Sequence, residues 1–435
     1  MPAHSIVSDD YSPVVHPDNS DSDDFSDIDS DGSDTTVRSM STLSSLEVSS
    51  FFREVYGRAY PADANIPQFV PLDLGEVVRL ELQHYYLKLL LESNYVGPVQ
   101  SILAPDPTSP RRKRVLDIFT ADGTWVQEMA SEFPHVDFVS LDMIPLVPHK
   151  PRANVSFEVY DVYNGFAELD ASFDMVHTRR TVSQIRDYHA FLREVDRVLK
   201  PGGLLVFGQL EIEVYEYIPP SPTTVSTPPL HRPTIPNSHP LLASCGPVPR
   251  LPFVFPSSLP SPHPSPVVLD RTLAPQPHPD PLFDSECIIP AHQSLPIMSQ
   301  GMSMLRTSLS TQNCSIYMWR DLPTLLLPTS SLWNPDPDPD TLKPPTTPRG
   351  YTSIVPQVHI LPNSPWHTLS PRLRAIGELV QQIGTSNWQN FGLLFRSQGL
   401  SEAETDRLVS AGSAELVSKD IYKVMRYHTV HAIKI

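Results

Sequence analysis

The chain has 435 residues, with 32 Lys and Arg against 49 Asp and Glu, which gives a formal net charge of −17. This acidic balance argues against nonspecific nucleic-acid binding, because such binding needs clustered cations. No apolar run approaches the roughly 18 residues of a membrane helix, and the first residues lack the features of a secretory signal. Three cysteines without metal-ligand spacing indicate a reducing compartment and no metal site. We therefore expect a soluble protein of the cytoplasm or nucleus, without nucleic-acid or membrane partners.

Residues 1–50 contain many Asp and Ser residues and few large apolar ones. Such a segment cannot bury enough surface to offset the entropy of ordering, so we predict a disordered acidic tail. Its Asp-flanked serines are candidate phosphorylation sites, and the tail is a candidate contact for a protein partner. A purely solvated tail explains the same composition.

Residues 51–112 have the composition of a globular segment and are predicted to form an N-terminal helical cap. Apolar residues recur with helical spacing from Glu76 to Leu91, which predicts one buried helix face. The apolar residues of that face are Val77, Leu80 and Leu89, with either Tyr85 or the pair Leu82 and Tyr86. The basic run at residues 111–114 fits a solvated strand entry better than a nuclear-import signal, which is the alternative.

Residues 113–218 are predicted to form the first part of the core. An apolar run from Val115 ends in a tight turn at Gly123, and helical signals follow from Val126 to Phe133. A second apolar run, Val136–Leu141, ends in Asp142, nineteen residues after Gly123. Strand, turn, helix, strand and acid form half of a nucleotide-binding βαβ unit, in which the acid accepts hydrogen bonds from a ribose diol.

Further strands and a helix continue this alternation. They are a third strand at Val155–Tyr160, a fourth at Phe173–His177, a helix at Tyr188–Leu199 that stops at the Lys-Pro-Gly-Gly sequence, and a fifth strand at Leu204–Phe207. Strands that alternate with helices predict a parallel sheet with ligands at the carboxyl ends of its strands.

The alternation stops at residue 219. Residues 219–281 hold 20 prolines in 63 positions, and proline lacks a backbone donor and fixes φ. We predict a disordered insertion over residues 219–295. A polyproline ligand for a protein partner and an unspliced stretch in the gene model are the alternatives.

Residues 296–435 are predicted to complete the core, with a second Pro/Asp-rich loop at residues 334–348. The expected elements are a sixth strand at Thr352–Leu361, helices near Pro371–Ile383, Trp388–Leu400 and Glu402–Val417, and a seventh strand at Tyr427–Ile435. Ser401 and Glu404 have the spacing of a capping box for the last helix.

Eight segments carry a family resemblance by their identity and their order. They are NYVGPV, VLDIFTADGTW, FPHVDFVSLDMIP, FEVYDV, SFDMVHTRR, IRDYHAFLREVDRVLKPGG, RLRAIGEL and GLSEAETDRLV. The chain thereby resembles the class I S-adenosylmethionine-dependent methyltransferases, in particular fungal methyltransferase-domain proteins of the secondary-metabolism-regulator type. The resemblance spans most of residues 51–218 and 297–435. It implies an α/β, Rossmann-like fold with a seven-stranded, mostly parallel sheet, an antiparallel last strand and helices on both faces, and S-adenosylmethionine as cofactor.

The family's cofactor loop, D-x-G-x-G-x-G, is kept only in part. Asp117 and Gly123 are present, whereas Phe119 and Ala121 stand at the first two glycine positions. Glycine there lets the backbone approach the cofactor without a Cβ. The Phe119 ring is expected either to project into the methionine end of the pocket, at a cost of about 1–3 kcal/mol, or to turn away if its backbone angles suit an L-residue.

The resemblance implies further cofactor contacts. Asp142 falls on the ribose-binding acid, Met143 lies beside the adenine slot, and Asp161 falls on the acid that receives the adenine amino group. His177 follows the fourth strand, where the family faces cofactor and acceptor. It is a candidate general base, with a hydrogen-bonded structural histidine as the alternative.

Two functions stay open from the sequence. An active methyltransferase, with a small molecule or a protein as acceptor, is favoured by Asp142 and Asp161. A catalytically degenerate regulatory or binding module is favoured by Phe119, by Ala121 and by Gln209, which replaces a Glu that the family often carries. A dinucleotide oxidoreductase would need glycines at positions 119 and 121.

Overall fold

The structure, a computed structural model, describes most of the chain outside three long gaps. The described residues are 43–67, 71–150, 152–220, 283, 285–333, 349–368 and 370–435. Most of the predicted acidic tail, most of the predicted insertion and the predicted loop at 334–348 therefore lie outside the described residues.

Five parallel strands form one half of the central sheet. They are β3 (Lys113–Ile118), β4 (Val136–Asp142), β5 (Val155–Val159), β6 (Phe173–Arg179) and β7 (Leu199–Leu210). Their order is β5-β4-β3-β6-β7, so β3 lies at the centre and its carboxyl end is flanked by those of β4 and β6. This order gathers the ends of the first, second and fourth predicted strands at one edge of the sheet.

Antiparallel strands form the other half. The last strand, β11 (Lys423–Lys434), pairs antiparallel with β7 and also with β10 (Tyr351–Pro362). The short strands β8 (Tyr215–Tyr217) and β9 (Ile288–Pro290) extend the sheet, which has nine strands among the described residues. All seven predicted strands are present, and the antiparallel last strand is confirmed. Segments of three residues such as β8 and β9 are too short to show a periodic pattern.

A small hairpin, β1 (Phe52–Val55) with β2 (Arg58–Pro61), opens the described chain beside the helices. The helices are α1 (Ser45–Ser50), α2 (Leu74–Leu91), α3 (Val99–Ile102), α4 (Thr124–Glu132), α5 (Tyr188–Val198), α6 (Pro296–Thr311), α7 (Met318–Leu325), α8 (Pro371–Asn390), α9 (Gly392–Ser397) and α10 (Glu402–Val417). Helix α1 lies at the end of the predicted tail, and the hairpin adds strands to the predicted helical cap. The capping box of α10 is formed as predicted. Within the described ranges, no helix is both long and apolar enough to cross a membrane.

Apolar side chains cover both faces of the parallel strands. Successive residues of a strand point to opposite faces, so Val115 packs with Trp125 of α4, while Leu116 packs on the other face in the cluster that contains Phe191 of α5. Helices on both faces are thus confirmed. The basic run before β3 is ion-paired at the strand entry, since Arg112 lies 2.6 Å from Asp137 and Arg114 lies 3.2 Å from Glu168.

Helix α2 buries a different face from the predicted one. Tyr85 and Leu89 are 43% and 36% exposed, so the version with Tyr85 is wrong and so is Leu89, which both versions share, although Leu80 and Tyr86 are buried. The polar side chains of α2 that are buried instead are Glu76, Arg79, Gln83 and His84. Polar side chains buried along one helix indicate a binding or catalytic site and not a contact within the apolar core.

Candidate functional site

The loop between β3 and α4 is fixed by a buried hydrogen-bond network. The Asp117 carboxylate accepts a hydrogen bond from Ser140 Oγ at 2.8 Å, and His177 Nδ1 lies 2.7 Å from its other oxygen. Thr120 Oγ1 lies 2.8 Å from Ser140 Oγ, which ties the loop to β4. Asp117 is 3% exposed. Asp117 therefore holds the loop and the neighbouring strands β4 and β6 together.

The two glycine replacements keep a glycine-like backbone. Phe119 has φ +69° and Ala121 has φ +58°, both in the left-handed region. L-residues adopt this region at a cost of about 1–2 kcal/mol each. The loop therefore has the backbone that glycine favours, with side chains that must be placed elsewhere.

The Phe119 ring is placed in the core. It is 4% exposed and stacks on Phe191 with ring centroids 6.5 Å apart, while its backbone N–H donates to Leu141 O at 2.7 Å. The ring turns away, as one of the two expectations had it, but with a left-handed φ and not with the backbone angles that suit an L-residue. The ring is not among the residues that line the cleft described below.

Gly123 is the loop position where glycine is required. It begins α4 with φ +78°, and an added Cβ would lie 2.6 Å from His149 Nδ1. His149 in turn stacks on Phe157 at 3.9 Å between ring centroids, so it has little room to move. The close approach explains why this third glycine of the loop is kept.

Asp142 ends β4 and faces the loop. Its Oδ2 accepts a hydrogen bond from Ala121 N at 3.0 Å, and its Oδ1 accepts one from Met143 N at 2.8 Å. Burial raises the pKa of the Asp142 carboxyl to about 6, although these backbone donors oppose the shift. A carboxylate oxygen has two lone pairs, so Oδ2 retains acceptor capacity for a ligand hydroxyl.

A cleft of about 450 Å³ lies beside Asp142. Its walls combine the loop, the end of β4 and the N-terminal cap, and its lining includes Ala121, Asp142, Met143, Ile144, Ile66, Leu72, Glu76, Leu80, Leu146, Arg180 and Gln184. Apolar walls beside the Asp142 carboxylate suit a nucleoside, whose base is largely apolar and whose ribose donates hydrogen bonds. We call this space the Asp142 cleft.

Glu76 and Arg180 line the Asp142 cleft, and Arg79 pairs with Glu76. Glu76, 1% exposed, accepts two hydrogen bonds from Arg79, at 2.6 and 2.7 Å. Arg180 Nη2 lies 3.6 Å from Glu76 Oε1, and burial together with Arg79 lowers the pKa of Arg180 to about 10. Two cations thus share one carboxylate, which leaves this part of the cleft able to bind an anionic group.

Two predicted site residues lie away from the Asp142 cleft. Asp161 caps the 3₁₀ turn Val162–Asn164, accepting from Tyr163 N and Asn164 Nδ2 at 2.8 Å each. His177 is buried, held by Asp117 and stacked on Trp125 at 3.6 Å between ring centroids. Burial lowers the pKa of His177 despite its hydrogen bond to Asp117. His177 borders a separate narrow groove of about 380 Å³.

A larger cavity of about 1130 Å³ adjoins the Asp142 cleft, because Arg180 lines both. Gln209 also lines it, but its side chain is engaged internally: Oε1 accepts from Val182 N, and Nε2 donates to Leu210 O. Glu211, two residues later, is the carboxylate on the wall of this cavity. We call this space the chamber.

Sequence reasoning did not identify Glu76, Arg180 or the chamber. The i,i+3 spacing of Glu76 and Arg79 is compatible with an ordinary exposed helix pair, so it gives no signal of burial. Arg180 has φ +66°, which only the structure reveals. The chamber draws its walls from residues between 79 and 425.

Comparison with known proteins gives a family match over residues 91–219, to the model of a methyltransferase domain. The chain is 30% identical over 166 residues to the secondary metabolism regulator laeA of Coprinopsis cinerea, covering 38% of this chain and 40% of that protein. It is 27% identical over 157 residues to the methyltransferase str2 of Strobilurus tenacellus, covering 36% and 54%. The aligned part thus spans about half the length of these relatives.

Among solved structures, phosphoethanolamine N-methyltransferase 2 of Haemonchus contortus in complex with S-adenosyl-L-methionine aligns with a TM-score of 0.32 at 13% identity, covering 86% of this chain and 61% of that one. The family match covers the loop with Asp117 and Gly123, the strand that ends in Asp142, and the Lys-Pro-Gly-Gly segment. Residues 91–219 are therefore a methyltransferase domain of the class I, S-adenosylmethionine-dependent type, similar to that of the fungal secondary-metabolism regulators.

Proposed function

We propose that this protein transfers a methyl group from S-adenosylmethionine to an acceptor bound in the chamber. The observation that carries the proposal is the junction of the two spaces: the Asp142 cleft meets the chamber at Arg180. Asp142 would hold the ribose hydroxyls, the apolar walls would hold the adenine, and the Arg180 guanidinium would bind the cofactor's carboxylate. The sulfonium would then lie at the boundary with the chamber.

Methyl transfer from a sulfonium is an in-line displacement. The acceptor's lone pair bonds to the methyl carbon while the carbon–sulfur bond breaks, and its electron pair stays on sulfur as a thioether. Because the methyl group is already activated, alignment of the two reactants and exclusion of water supply much of the rate. A cleft and a chamber that share a wall provide this alignment without a conspicuous catalytic triad.

The position of Phe119 supports an enzyme over a degenerate binding module. A ring in the methionine end of the cleft would oppose cofactor binding, but the ring packs on Phe191. The side chain of Gln209 also supports an enzyme. Its amide oxygen accepts a hydrogen bond from Val182 N, so Gln209 has a structural role and does not take the place of a carboxylate in the chamber.

Calorimetric titration with S-adenosylmethionine and S-adenosylhomocysteine tests this proposal. We expect micromolar binding of both by the full chain, together with transfer of label from methyl-tritiated S-adenosylmethionine to a component of a cell extract. Absence of binding by either compound would overturn the proposal and favour the regulatory module. Binding of either compound without transfer of label to any extract component would indicate a protein that senses the cofactor and does not catalyse methyl transfer.

A protein partner is a second proposal, supported by sequence alone. The acidic residues 1–50 and the proline-rich residues 219–295 have compositions suited to partner binding. The cytoplasm or nucleus stays the proposed compartment. A pull-down with each segment deleted in turn would assign such a partner to one of them.

A further inference from the structure

The chamber is built from buried apolar side chains of several helices and strands. Its walls include Met298, Leu305, Leu361, Val380, Trp388 and Leu416, each no more than 5% exposed. Walls of this kind belong to the interior of the fold. They suit a small ligand that is surrounded on most sides better than a segment of another protein lying on the surface.

A hydrogen-bonded carboxylate interrupts the apolar wall. Glu211 is 8% exposed, and it accepts a hydrogen bond from Tyr215 OH at 2.6 Å and lies 2.9 Å from His428 Nε2. The His428 ring is held by Trp319, which stacks on it at 3.9 Å between ring centroids. Burial raises the pKa of Glu211, but the hydrogen bonds from His428 and Tyr215 outweigh burial and lower it. Glu211 is therefore ionised at neutral pH and retains lone pairs for a donor.

A second polar atom in the wall lacks a partner. Asn387 Oδ1 is buried and accepts no hydrogen bond from the described residues. A buried acceptor without a donor costs free energy unless a ligand or water supplies one. The chamber thus offers acceptors at Glu211 and Asn387 within mainly apolar surroundings.

We propose that the chamber binds a small, largely apolar molecule, of aromatic or comparable size, that donates a hydrogen bond from a hydroxyl or amine group to Glu211. This inference rests on the proposed function, because the molecule would be the methyl acceptor. The nucleophilic oxygen or nitrogen would then lie in the chamber, which borders the Asp142 cleft at Arg180.

Equilibrium dialysis with 2-naphthol tests the chamber directly. We expect the full chain to bind this probe saturably at one site, both with and without S-adenosylhomocysteine. Gly384 lines the chamber within α8, and Gly384→Leu adds a side chain whose Cβ would lie 3.1 Å from Cδ2 of Leu416, another residue of the chamber wall. We expect this variant to bind 2-naphthol at least tenfold more weakly.

Gly392→Leu is the matched control, because Gly392 does not line the chamber and its added Cβ would meet only Thr405 Cγ2, at 3.6 Å. This variant should bind 2-naphthol within twofold of wild type. Equal affinity of wild type and Gly384→Leu, or no saturable binding by wild type, would overturn the inference. Thermal unfolding of both variants establishes that they are folded.

The donor requirement is tested with 2-methoxynaphthalene, which keeps the rings but loses the hydroxyl hydrogen. Glu211→Gln should weaken 2-naphthol at least threefold and leave 2-methoxynaphthalene unchanged, since a charged acceptor binds a donor more tightly than an amide does. Equal weakening of both probes would assign Glu211 a purely structural role. Calorimetry with S-adenosylhomocysteine on the same proteins separates the two proposals: cofactor binding without 2-naphthol binding refutes only the acceptor inference.

Discussion

In the proposed function, Asp142 controls cofactor affinity through its protonation state. With a pKa raised to about 6, the carboxyl is ionised at pH 7 and largely protonated at pH 5, where it accepts ribose hydroxyls poorly. Affinity for S-adenosylhomocysteine should therefore fall as the pH is lowered from 7 to 5. Asp142→Asn should bind about tenfold more weakly at pH 7, equivalent to about 1.4 kcal/mol, with a flatter pH profile. Calorimetry from pH 5 to pH 8 measures both.

Stability gives an independent check on Asp142. Because its folded pKa lies above the ordinary value of 3.8, folding favours the protonated form, and this contribution is lost as the pH rises through about 6. Asp142→Asn should thus gain stability relative to wild type at pH 7 and lose that gain near pH 4. Asp137→Asn, an exposed position on the same strand, is the control. The same affinity and pH profile in wild type and Asp142→Asn would remove Asp142 from the cofactor site.

Phe119 destabilises the fold through its backbone conformation and stabilises it through its side chain. Phe119→Gly relieves about 1 kcal/mol of left-handed strain but deletes a buried ring, and such deletions cost about 3–5 kcal/mol. We expect a net loss of about 3 kcal/mol of unfolding free energy, measured by denaturant titration. Affinity for S-adenosylhomocysteine should stay within threefold of wild type.

Phe119→Leu is the companion variant, since it keeps an apolar side chain at the same φ. It should lose less stability than Phe119→Gly, because part of the packing against Phe191 is retained. A tenfold gain in affinity for S-adenosylhomocysteine in Phe119→Gly would show that the ring obstructs the cleft after all.

Helix α2 contributes to the site through a buried ion pair. Glu76→Gln leaves Arg79 and Arg180 buried without their shared carboxylate. Removal of one partner from a buried pair costs about 3–5 kcal/mol, so we expect a loss near the lower figure in denaturant unfolding. Glu81→Gln, on the exposed side of the same helix, should change stability by less than about 0.5 kcal/mol. A comparable loss in both variants would place Glu76 in an ordinary surface role.

The same helix shows where sequence patterns succeed and where they fail. Apolar runs predicted β3 and β4 because buried parallel strands are apolar on both faces. Helix α2 was predicted, but its buried face was partly misassigned. Glu76 and Arg79 are both charged in sequence, and they can be buried only because they pair with each other in the packed helix. Glu211 shows the same limit, since its partner His428 lies 217 residues away. A one-dimensional pattern holds no information about such pairings.

At the scale of the whole molecule, the core is formed by parts of the chain from both sides of the proline-rich segment. Strand β7 and the start of α6, which supplies Met298 to the chamber, lie on opposite sides of it in sequence. Strands β8 and β9 bring the two sides together, with Tyr217 paired to Ile288 and Ile218 N donating to Cys287 O at 2.8 Å. The chain therefore leaves and re-enters the sheet at one place.

This geometry predicts that residues 221–282 are dispensable for folding and cofactor binding. Since the two ends are already adjacent, an eight-residue Gly/Ser linker can replace the segment without strain. The loop between Ile218 and Cys287 then becomes about fivefold shorter, which reduces the entropy of closure by about 1.4 kcal/mol. We expect the shortened chain to unfold at a slightly higher denaturant concentration and to bind S-adenosylhomocysteine as wild type does. Reduced stability or affinity would mean that the segment contributes contacts to the core, which the pairing of β8 with β9 alone does not require.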